Sequence, residues 1–524
     1  MRVLGIEGTA WAASAAVFDT DADAVFIETD AYQPESGGIH PREAAEHMGD
    51  AIPRVVEAAL SEADGDIDAV AFSRGPGLGP CLRVVGTAAR ALAQSLDVPL
   101  VGVNHMVAHL EIGRYQSGFD SPVCLNASGA NAHLLGYHNG RYRILGETMD
   151  TGVGNALDKF TRHVGWTHPG GPKVERAAED GEYLDLPYVV KGMDFSFSGI
   201  MSAAKEAYDD GAPVEDVCFS LQENVFAMLS EVAERALSLT GTDELVLGGG
   251  VGQNDRLREM LETMCESRGA DFYAPDSRFL RDNAGMIAVL GARMYESGDT
   301  LEIEASAVDP NYRPDEVPVT WRRGEESVAR PTTDAGEIRG AEAVVTIRPD
   351  RVVKRRLPKE YRHPELDARL RRERTVSEAR LTSEARRNGV PTPLVYDVDV
   401  PEATLALQHV GHADLAAALA TDRARTVGRH LATLHGAGVV HGDPTTRNVR
   451  VGDDRTYLVD FGLGYHTGHV EDHAMDLHVF EGSVRGTADD PDPLVAAFEE
   501  GYAAVGAEAA LNRLREIEGR GRYQ

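Results

Sequence analysis

His105 and His109, in the stretch His105-Met106-Val107-Ala108-His109, stand four positions apart, a spacing that puts two imidazoles on one face of a helix, where they can share a metal ion. A helical zinc peptidase of the H-E-x-x-H kind carries its general-base glutamate directly after the first histidine. Met106 occupies that position here, so peptide hydrolysis is the chemistry the pair argues against. A third ligand is needed, and Asp282 in Arg281-Asp282-Asn283-Ala284-Gly285 is the best placed. It follows an expected strand over 271–274 and precedes an apolar helix over 286–294, so its carboxylate is either that ligand or the N-cap of the helix.

Three glycine-rich turns add phosphate chemistry: Gly5-Ile6-Glu7-Gly8-Thr9, Ser128-Gly129-Ala130-Asn131, and the run from Gly248 to Asn254 that opens a helix. Glycines let backbone N–H groups approach phosphate oxygens, and a helix N-terminus adds favourable dipole charge. No G-x-x-x-x-G-K-[ST] segment is present, which excludes a P-loop. The elements that must position these residues alternate. Val3 to Ile6 with Ala13 to Phe18 predicts a hairpin, and Val123 to Ala127 with Ala132 to Tyr137 repeats it. Ala69 to Phe72 and Glu244 to Leu247 predict buried strands, and Leu82 to Leu96 predicts a helix. Two hairpin-led α/β halves imply an internal duplication with a nucleotide cleft between them.

A chain of 524 residues holds about three domain-sized units. Arg2-Val3-Leu4-Gly5-Ile6 already reads as a buried strand and no apolar run approaches a membrane span, so a cytoplasmic protein with no membrane partner is expected. Cys81, Cys124, Cys218 and Cys265 form no C-x-x-C pair and sit in apolar settings, as reduced core thiols do. The formal net charge of −32, with lysine confined to Lys159, Lys173, Lys191, Lys205, Lys354 and Lys359, reads as the habitat signal of a halophilic archaeon, whose salt-rich cytoplasm screens the self-repulsion. The C-terminal part is the less acidic one. Its arginine-dense stretch, including Arg355, Arg356, Arg362, Arg369, Arg371, Arg372 and Arg374, is either a solvated helix face or a phosphate-backbone binding surface. A polar, proline-bearing segment over 313–336 lacks periodicity and divides the chain.

The motifs of residues 1–324 occur in an order that resembles the archaeal and eukaryotic tRNA threonylcarbamoyladenosine transferase family. They are Gly5-Ile6-Glu7-Gly8-Thr9-Ala10, Gly75-Pro76-Gly77-Leu78-Gly79, His105 to His109, Gly154-Asn155-Ala156-Leu157-Asp158-Lys159-Phe160, Pro169-Gly170-Gly171-Pro172, Phe195-Ser196-Phe197-Ser198-Gly199 and Arg281-Asp282-Asn283-Ala284-Gly285-Met286. The resemblance implies a duplicated α/β domain of the actin/hexokinase type. It also implies transfer of the threonylcarbamoyl group of threonylcarbamoyl-AMP to the exocyclic amine of the adenosine beside the anticodon, in tRNAs that read codons beginning with adenine. One iron or zinc ion would be held by His105, His109 and Asp282. The family's nucleotide contacts fall on Asn126, Ala127, Ser128, Gly129, Ala130, Asp158, Gly171, Glu175 and Asn254. This chain departs from the family where Asn126 replaces a tyrosine that approaches the metal, leaving Asn126 as a weak fourth ligand, and where Ala130 replaces a glycine.

A second signature lies downstream. His441-Gly442-Asp443-Pro444-Thr445-Thr446-Arg447-Asn448, followed by Tyr457-Leu458-Val459-Asp460-Phe461-Gly462, matches the catalytic loop and metal-binding aspartate of a protein kinase. In that pattern Asp443 takes the hydroxyl or water proton and Asn448 and Asp460 hold Mg²⁺. Gly340-Ala341-Glu342-Ala343 stands in for the glycine-rich loop, Lys354 contacts ATP phosphates and Glu378 pairs with it. Residues 336–524 resemble the small atypical serine/threonine kinase of the KEOPS complex, an α+β bilobal fold that works as an ATPase as much as a kinase. The expected architecture is therefore a transferase domain over 1–324, a linker over 325–335 and a kinase-like domain over 336–524. Its expected partners are tRNA, threonylcarbamoyl-AMP, ATP and the other small KEOPS subunits. The competing readings are a metallopeptidase, and a second half that serves only as a tRNA-binding scaffold.

Overall fold

The computed structural model describes residues 1–32, 40–63, 66–129, 131–138, 140–322 and 337–520. The chain groups into two compact units, Met1–Pro187 with Ser196–Arg330, and Tyr188–Phe195 with Pro331–Arg522. The expected linker over 325–335 lies outside the described residues. Tyr188–Phe195, counted with the first domain from sequence, groups with the second unit.

The first unit is built from two sheets of the same design. β1 (Arg2–Glu7), β2 (Ala12–Asp19) and β3 (Ala24–Ala31) form an antiparallel meander, and β4 (Ala69–Gly75) and β5 (Leu100–Asn104) extend it in parallel beyond β1, giving the order β3-β2-β1-β4-β5. The parallel pairings need crossovers, supplied by α1 (Pro41–Glu62) and α2 (Gly79–Leu96); α3 (His105–Ser117) follows β5 without a break. The second sheet repeats the plan with β6 (Val123–Ala127), β7 (Ala132–His138) and β8 (Arg141–Glu147). Its crossovers are α4 (Val153–His163), α5 (Gly171–Ala178), α6 (Ser198–Asp209) and α7 (Val214–Thr240), with the short strands β9 (Val190–Lys191) and β10 (Asp194–Phe195) lying between α5 and α6 in the chain. β11 (Glu244–Gly248), α8 (Asp255–Arg268) and β12 (Asp271–Tyr273) then complete the order β12-β11-β6-β7-β8. After α9 (Ser277–Leu280), α10 (Ala284–Glu296) ends the repeat in the place α3 holds in the first.

The duplication expected from the two hairpins is thus present strand for strand, in the arrangement of the actin/hexokinase type. α3 and α10 lie between the sheets. Val107, Leu110, Ile287 and Leu290 share one core with Val101 and Val103 of the first sheet and Cys124, Leu135 and Val246 of the second. Burying each such aliphatic side chain contributes about 1.5–3 kcal/mol. Two glycines set how deep the helices lie: a Cβ on Gly5 of β1 would stand 2.5 Å from the Ala284 carbonyl oxygen, and one on Gly113 of α3 would stand 2.1 Å from a Val246 methyl. All four cysteines are buried and free. No helix among the described residues is long and apolar enough to cross a membrane.

The second unit opens with a five-stranded antiparallel sheet in the order β13-β14-β15-β17-β16, from β13 (Glu337–Arg339), β14 (Ala343–Ile347), β15 (Arg351–Arg356), β16 (Val395–Asp399) and β17 (Thr404–Gln408). The helix α11 (Pro364–Arg387) packs against it. The remainder is helical: α12 (Thr421–Gly436), α13 (Val470–Thr487), α14 (Asp492–Ala503) and α15 (Glu508–Arg520). Leu431, Leu434, Leu477, Phe480 and Phe498 lie in its core. Between α12 and α13 run short strand pairs that carry the loops over 441–448 and 459–464.

Candidate functional site

The two histidines are placed by the first turn of α3. Asn104, the last residue of β5, caps that turn by accepting from the N–H groups of Met106 and Val107 at 3.0 and 3.1 Å, so the strand delivers His105 directly into a helix. Asn283 does the same for α10, accepting from Met286 N–H at 3.1 Å. Asn283, not Asp282, is therefore the N-cap, and Asp282 is left to face α3. Its Oδ1 stands 3.4 Å from His105 Nε2 and 3.6 Å from His109 Nε2, and the three ligand atoms lie within 4.8 Å of one another. Ligands about 2.0–2.2 Å from a tetrahedral zinc stand roughly 3.3–3.6 Å apart, and both separations from Asp282 Oδ1 fall in that range.

The electrostatics point the same way. Burial disfavours a charged His105, but the carboxylates of Glu7 and Asp282 outweigh it and push its pKa up to about 10. Burial holds the pKa of His109 down, which keeps that ring a neutral ligand. Partial burial works against a charged Asp282, yet the two imidazoles hold it well below the usual carboxylate range. The cluster favours positive charge, which a divalent cation would supply.

Glu7 is the residue that sequence reasoning missed here. It ends β1 fully buried, and its Oε2 faces His105 Nδ1 at 3.1 Å. The signal was an acid closing a strand buried on both faces, which composition alone assigns to a turn. Behind His109 lies a second polar patch. His109 Nδ1, Asn126 Oδ1 and both ring nitrogens of His133 are buried with no hydrogen-bond partner among the described residues. Asn126 and His133 pair across β6 and β7. Burial first, and then His109 and His105, push His133 down to about 3.

The nucleotide residues expected from sequence fall on the turns that close these elements. Asn126 Oδ1 sits against Gly249, whose φ is +85° and where an added Cβ would approach that oxygen to 2.4 Å. Ala127 ends β6. Ser128 and Gly129 accept from Gly154 and Asn155 at the start of α4, and Ala130 lies outside the described residues. Asp158 accepts from Gly170 N–H at 2.6 Å and contacts His168 Nδ1 at 3.0 Å, which holds the turn before Gly171. A Cβ on Gly171 would meet nothing within 4 Å. Glu175 accepts from Asp255 N–H at 3.0 Å, and burial raises its pKa. Asn254 caps α8 through Leu257 N–H and donates to Gln222. Each of these polar groups also has a structural task inside the fold.

In the second unit, Lys354 Nζ reaches Glu378 at 3.0 and 3.1 Å and Asp460 at 2.6 Å. Against the effect of burial, Lys354 and then Arg356 hold Asp460 down to about 2. Asp460 has a φ of +67°, a strained backbone of the kind that gathers at functional loops. Asn448 Nδ2 donates to the Asp443 carboxylate at 3.1 Å and to its carbonyl at 2.8 Å. Asp476 of α13, another residue the sequence reading passed over, accepts from His441 and Gly442 N–H at 2.6 and 2.8 Å and so fixes the loop bearing Asp443. Gly340 and Ala341 form the β13–β14 turn, where Gly340 N–H donates to Ala343 and the Ala341 carbonyl accepts from Lys359.

The arginine-dense stretch divides. Arg356, Arg362 and Arg374 are buried, with Arg356 on Glu378, Arg374 on Glu342 and Arg362 near Asp367. Arg355, Arg372 and Arg380 are exposed. A phosphate-binding face made of the whole stretch is thus corrected to the exposed subset, because the buried guanidiniums neutralise carboxylates inside the unit.

Residues 23–289 match the family profile of the tRNA N6-adenosine threonylcarbamoyltransferase. Relatives that align end to end are each named a probable bifunctional tRNA threonylcarbamoyladenosine biosynthesis protein. That of Halobacterium salinarum is 72% identical over all of this chain and 99% of its own, and that of Haloquadratum walsbyi is 69% identical over all of both. That of Methanospirillum hungatei is 53% identical over 99% of each. The chain belongs to this family. As a tRNA threonylcarbamoyltransferase of the bifunctional type it acts on tRNA, and the two units described above are both present in its relatives' length.

Proposed function

We propose that the first unit transfers the threonylcarbamoyl group of threonylcarbamoyl-AMP to the exocyclic amine of the adenosine beside the anticodon, at a centre where His105, His109 and Asp282 hold an iron or zinc ion. The observation that carries this is the placement of Asp282 Oδ1 across from two Nε2 atoms at 3.4 and 3.6 Å. When bound, the ion supplies Lewis-acid polarisation of the carbamoyl carbonyl. In the reaction the adenosine nitrogen bonds to the carbamoyl carbon, the bond from that carbon to the AMP oxygen breaks, and the amine gives up one proton. The chain's own groups bind and orient: each carboxylate oxygen of Asp158 and Glu175 keeps a lone pair beyond its internal bond and can accept a ribose hydroxyl. The Ser128–Gly129 turn and the N-terminus of α8 offer N–H groups to phosphate. A peptidase would need a free general base near the ion. Glu7 is near, but both of its oxygens already accept from Thr9, Ser73 and His105.

The second unit reads as a small kinase-like ATPase that regulates the first. Lys354, Glu378 and Asp460 would meet the ATP phosphates and Mg²⁺, Asn448 would join Asp460 on the metal, and Asp443 would take the proton of the attacking hydroxyl or water. Exposed Arg355, Arg372 and Arg380 support tRNA contact. An open apolar groove of about 750 Å³ between α1 and α2, lined by Ile52, Val56, Leu60, Ala88 and Leu92, supports docking of a partner subunit of the KEOPS kind.

The test combines the protein, its partner subunits, threonylcarbamoyl-AMP and unmodified tRNA at high salt, with modified adenosine and ATP turnover both measured. His109→Ala should abolish modification and leave ATP turnover in place. Asp443→Ala should lower ATP turnover at least 100-fold and leave metal content unchanged. Full modification by His109→Ala would sink the metal-centre reading. Absence of ATP turnover in the wild type would make the second unit a scaffold.

A further inference from the structure

Around α3 stand three carboxylates with different neighbours, of which Glu7 and Glu111 are buried and Asp282 is partly exposed. Asp282 faces both imidazole Nε2 atoms. Glu111, on the same helix, accepts from Tyr142 at 2.6 Å, from Arg114 at 3.2 Å and from Arg322 at 3.4 Å. Glu7 lies behind His105, fully enclosed, and is itself held from two elements. Thr9 N–H, in the β1–β2 turn, donates to its Oε1 at 2.8 Å, and the Ser73 hydroxyl on β4, which is also fully buried, donates to its Oε2. The same Oε2 stands 3.1 Å from His105 Nδ1.

A carboxylate oxygen accepts, so the shared hydrogen bond places a ring proton on Nδ1, and the Nε2 position beside Asp282 is the one an ion would take in place of a proton. The rigidity of the acceptor matters as much as its charge: with Oε1 and Oε2 both anchored, the oxygen that meets His105 Nδ1 is fixed in place. His109 has no equivalent, because its Nδ1 is buried without a partner among the described residues.

We propose that Glu7 is a positioning residue of the metal centre, whose carboxylate holds the Nδ1–H of His105 and thereby fixes the tautomer and ring orientation that present Nε2 to the ion. This rests on the reading that His105, His109 and Asp282 bind a metal. Carboxylate support of a histidine ligand raises its basicity and its affinity for the ion. The alternative is a purely structural acid that satisfies Thr9 and Ser73, and the two roles predict different measurements.

The experiment uses the full-length protein stripped of metal and titrated with Zn²⁺ alone, by chelator competition, and with Co²⁺ alone, by its visible spectrum. Glu7→Ala should bind roughly 10- to 100-fold more weakly, with an altered Co²⁺ spectrum. Glu7→Gln keeps an acceptor oxygen and should recover part of the loss. Glu111→Gln, a buried carboxylate of the same helix with no bond to either histidine, should lower the unfolding midpoint and leave both metal readouts unchanged. Wild-type affinity and spectrum in Glu7→Gln and Glu7→Ala would overturn the proposal, as would an equal loss in Glu111→Gln. Should Glu7→Ala not fold, Glu7→Gln decides alone: weaker binding than wild type with an altered Co²⁺ spectrum supports the proposal, and wild-type values of both overturn it. A folded wild-type protein that takes up neither ion would overturn the metal reading together with this one, whereas normal uptake with unaffected Glu7 variants overturns this one only.

Discussion

His133 shows how much a single buried side chain can weigh. Its imidazole is almost fully enclosed, both nitrogens lack partners among the described residues, and its pKa is pushed down to about 3. An unfolded chain restores a value near 6.5. Between those values the unfolded state binds a proton that the folded state refuses, so this contribution to stability is present above the unfolded pKa and is lost as pH falls. Metal-free wild-type protein should therefore lose about 2 kcal/mol more than His133→Gln between pH 7 and pH 5, read from urea unfolding at both pH values. Comparing the two proteins cancels His105 and every other shared titration. Parallel acid limbs would show that His133 is protonated in the folded state. At this scale the sequence was legible where chemistry is written in short spacing: His105 and His109 by their helical interval, Asp443, Asn448 and Asp460 by their loop. It was not legible where partners meet through the fold. Glu7 and His105 are 98 positions apart, and nothing local to Arg356 or Arg374 says that each faces a carboxylate instead of solvent.

Among the elements, α3 carries the heaviest demand, because in the proposed metal centre it presents two ligands at one end while packing between two sheets. Its contact with β11 depends on Gly113, one turn beyond His109, where an added Cβ would meet a Val246 methyl at 2.1 Å. Gly113→Ala should cost about 1–3 kcal/mol through overpacking and weaken metal binding by shifting the helix. Adding Val246→Ala should return most of both losses. Chemical denaturation and the Co²⁺ titration report the two effects separately, and an unrescued double variant would locate the strain elsewhere. The hairpins and the 3.6-residue pattern made the repeated architecture readable. What periodicity could not give was Asn283 as the cap of α10, since Asp282 and Asn283 are equally good caps by residue type and only the approach of α3 separates their roles.

Across the whole molecule the formal charge of −32 is a standing self-repulsion that salt relieves. Raising KCl from 0.2 to 2 M should raise the melting temperature by several degrees or more, and calorimetry should show the first unit responding more than the less acidic second. Equal shifts would mean that the charge excess is spread over both. The domain division expected from composition near 313–336 starts inside the first unit, where Val317 joins the core and Arg322 donates to Glu111, and its remainder, 323–336, lies outside the described residues; an absence of periodicity is the weakest kind of sequence signal and does not distinguish a linker from a packed tail.

The pairing of α3 with α10 has a consequence for how the first unit holds together. Each repeat contributes its terminal helix, but the proposed ligands are unequally shared: His105 and His109 come from one copy and Asp282 from the other. Neither repeat can keep an ion alone, so the binding energy accrues only to the assembled pair and grows with free ion as RT ln(1 + [L]/Kd). An ion held as proposed would act as a cross-brace between duplicated halves, and a chain cut at the surface between them should reassemble more tightly with added Zn²⁺ than without it.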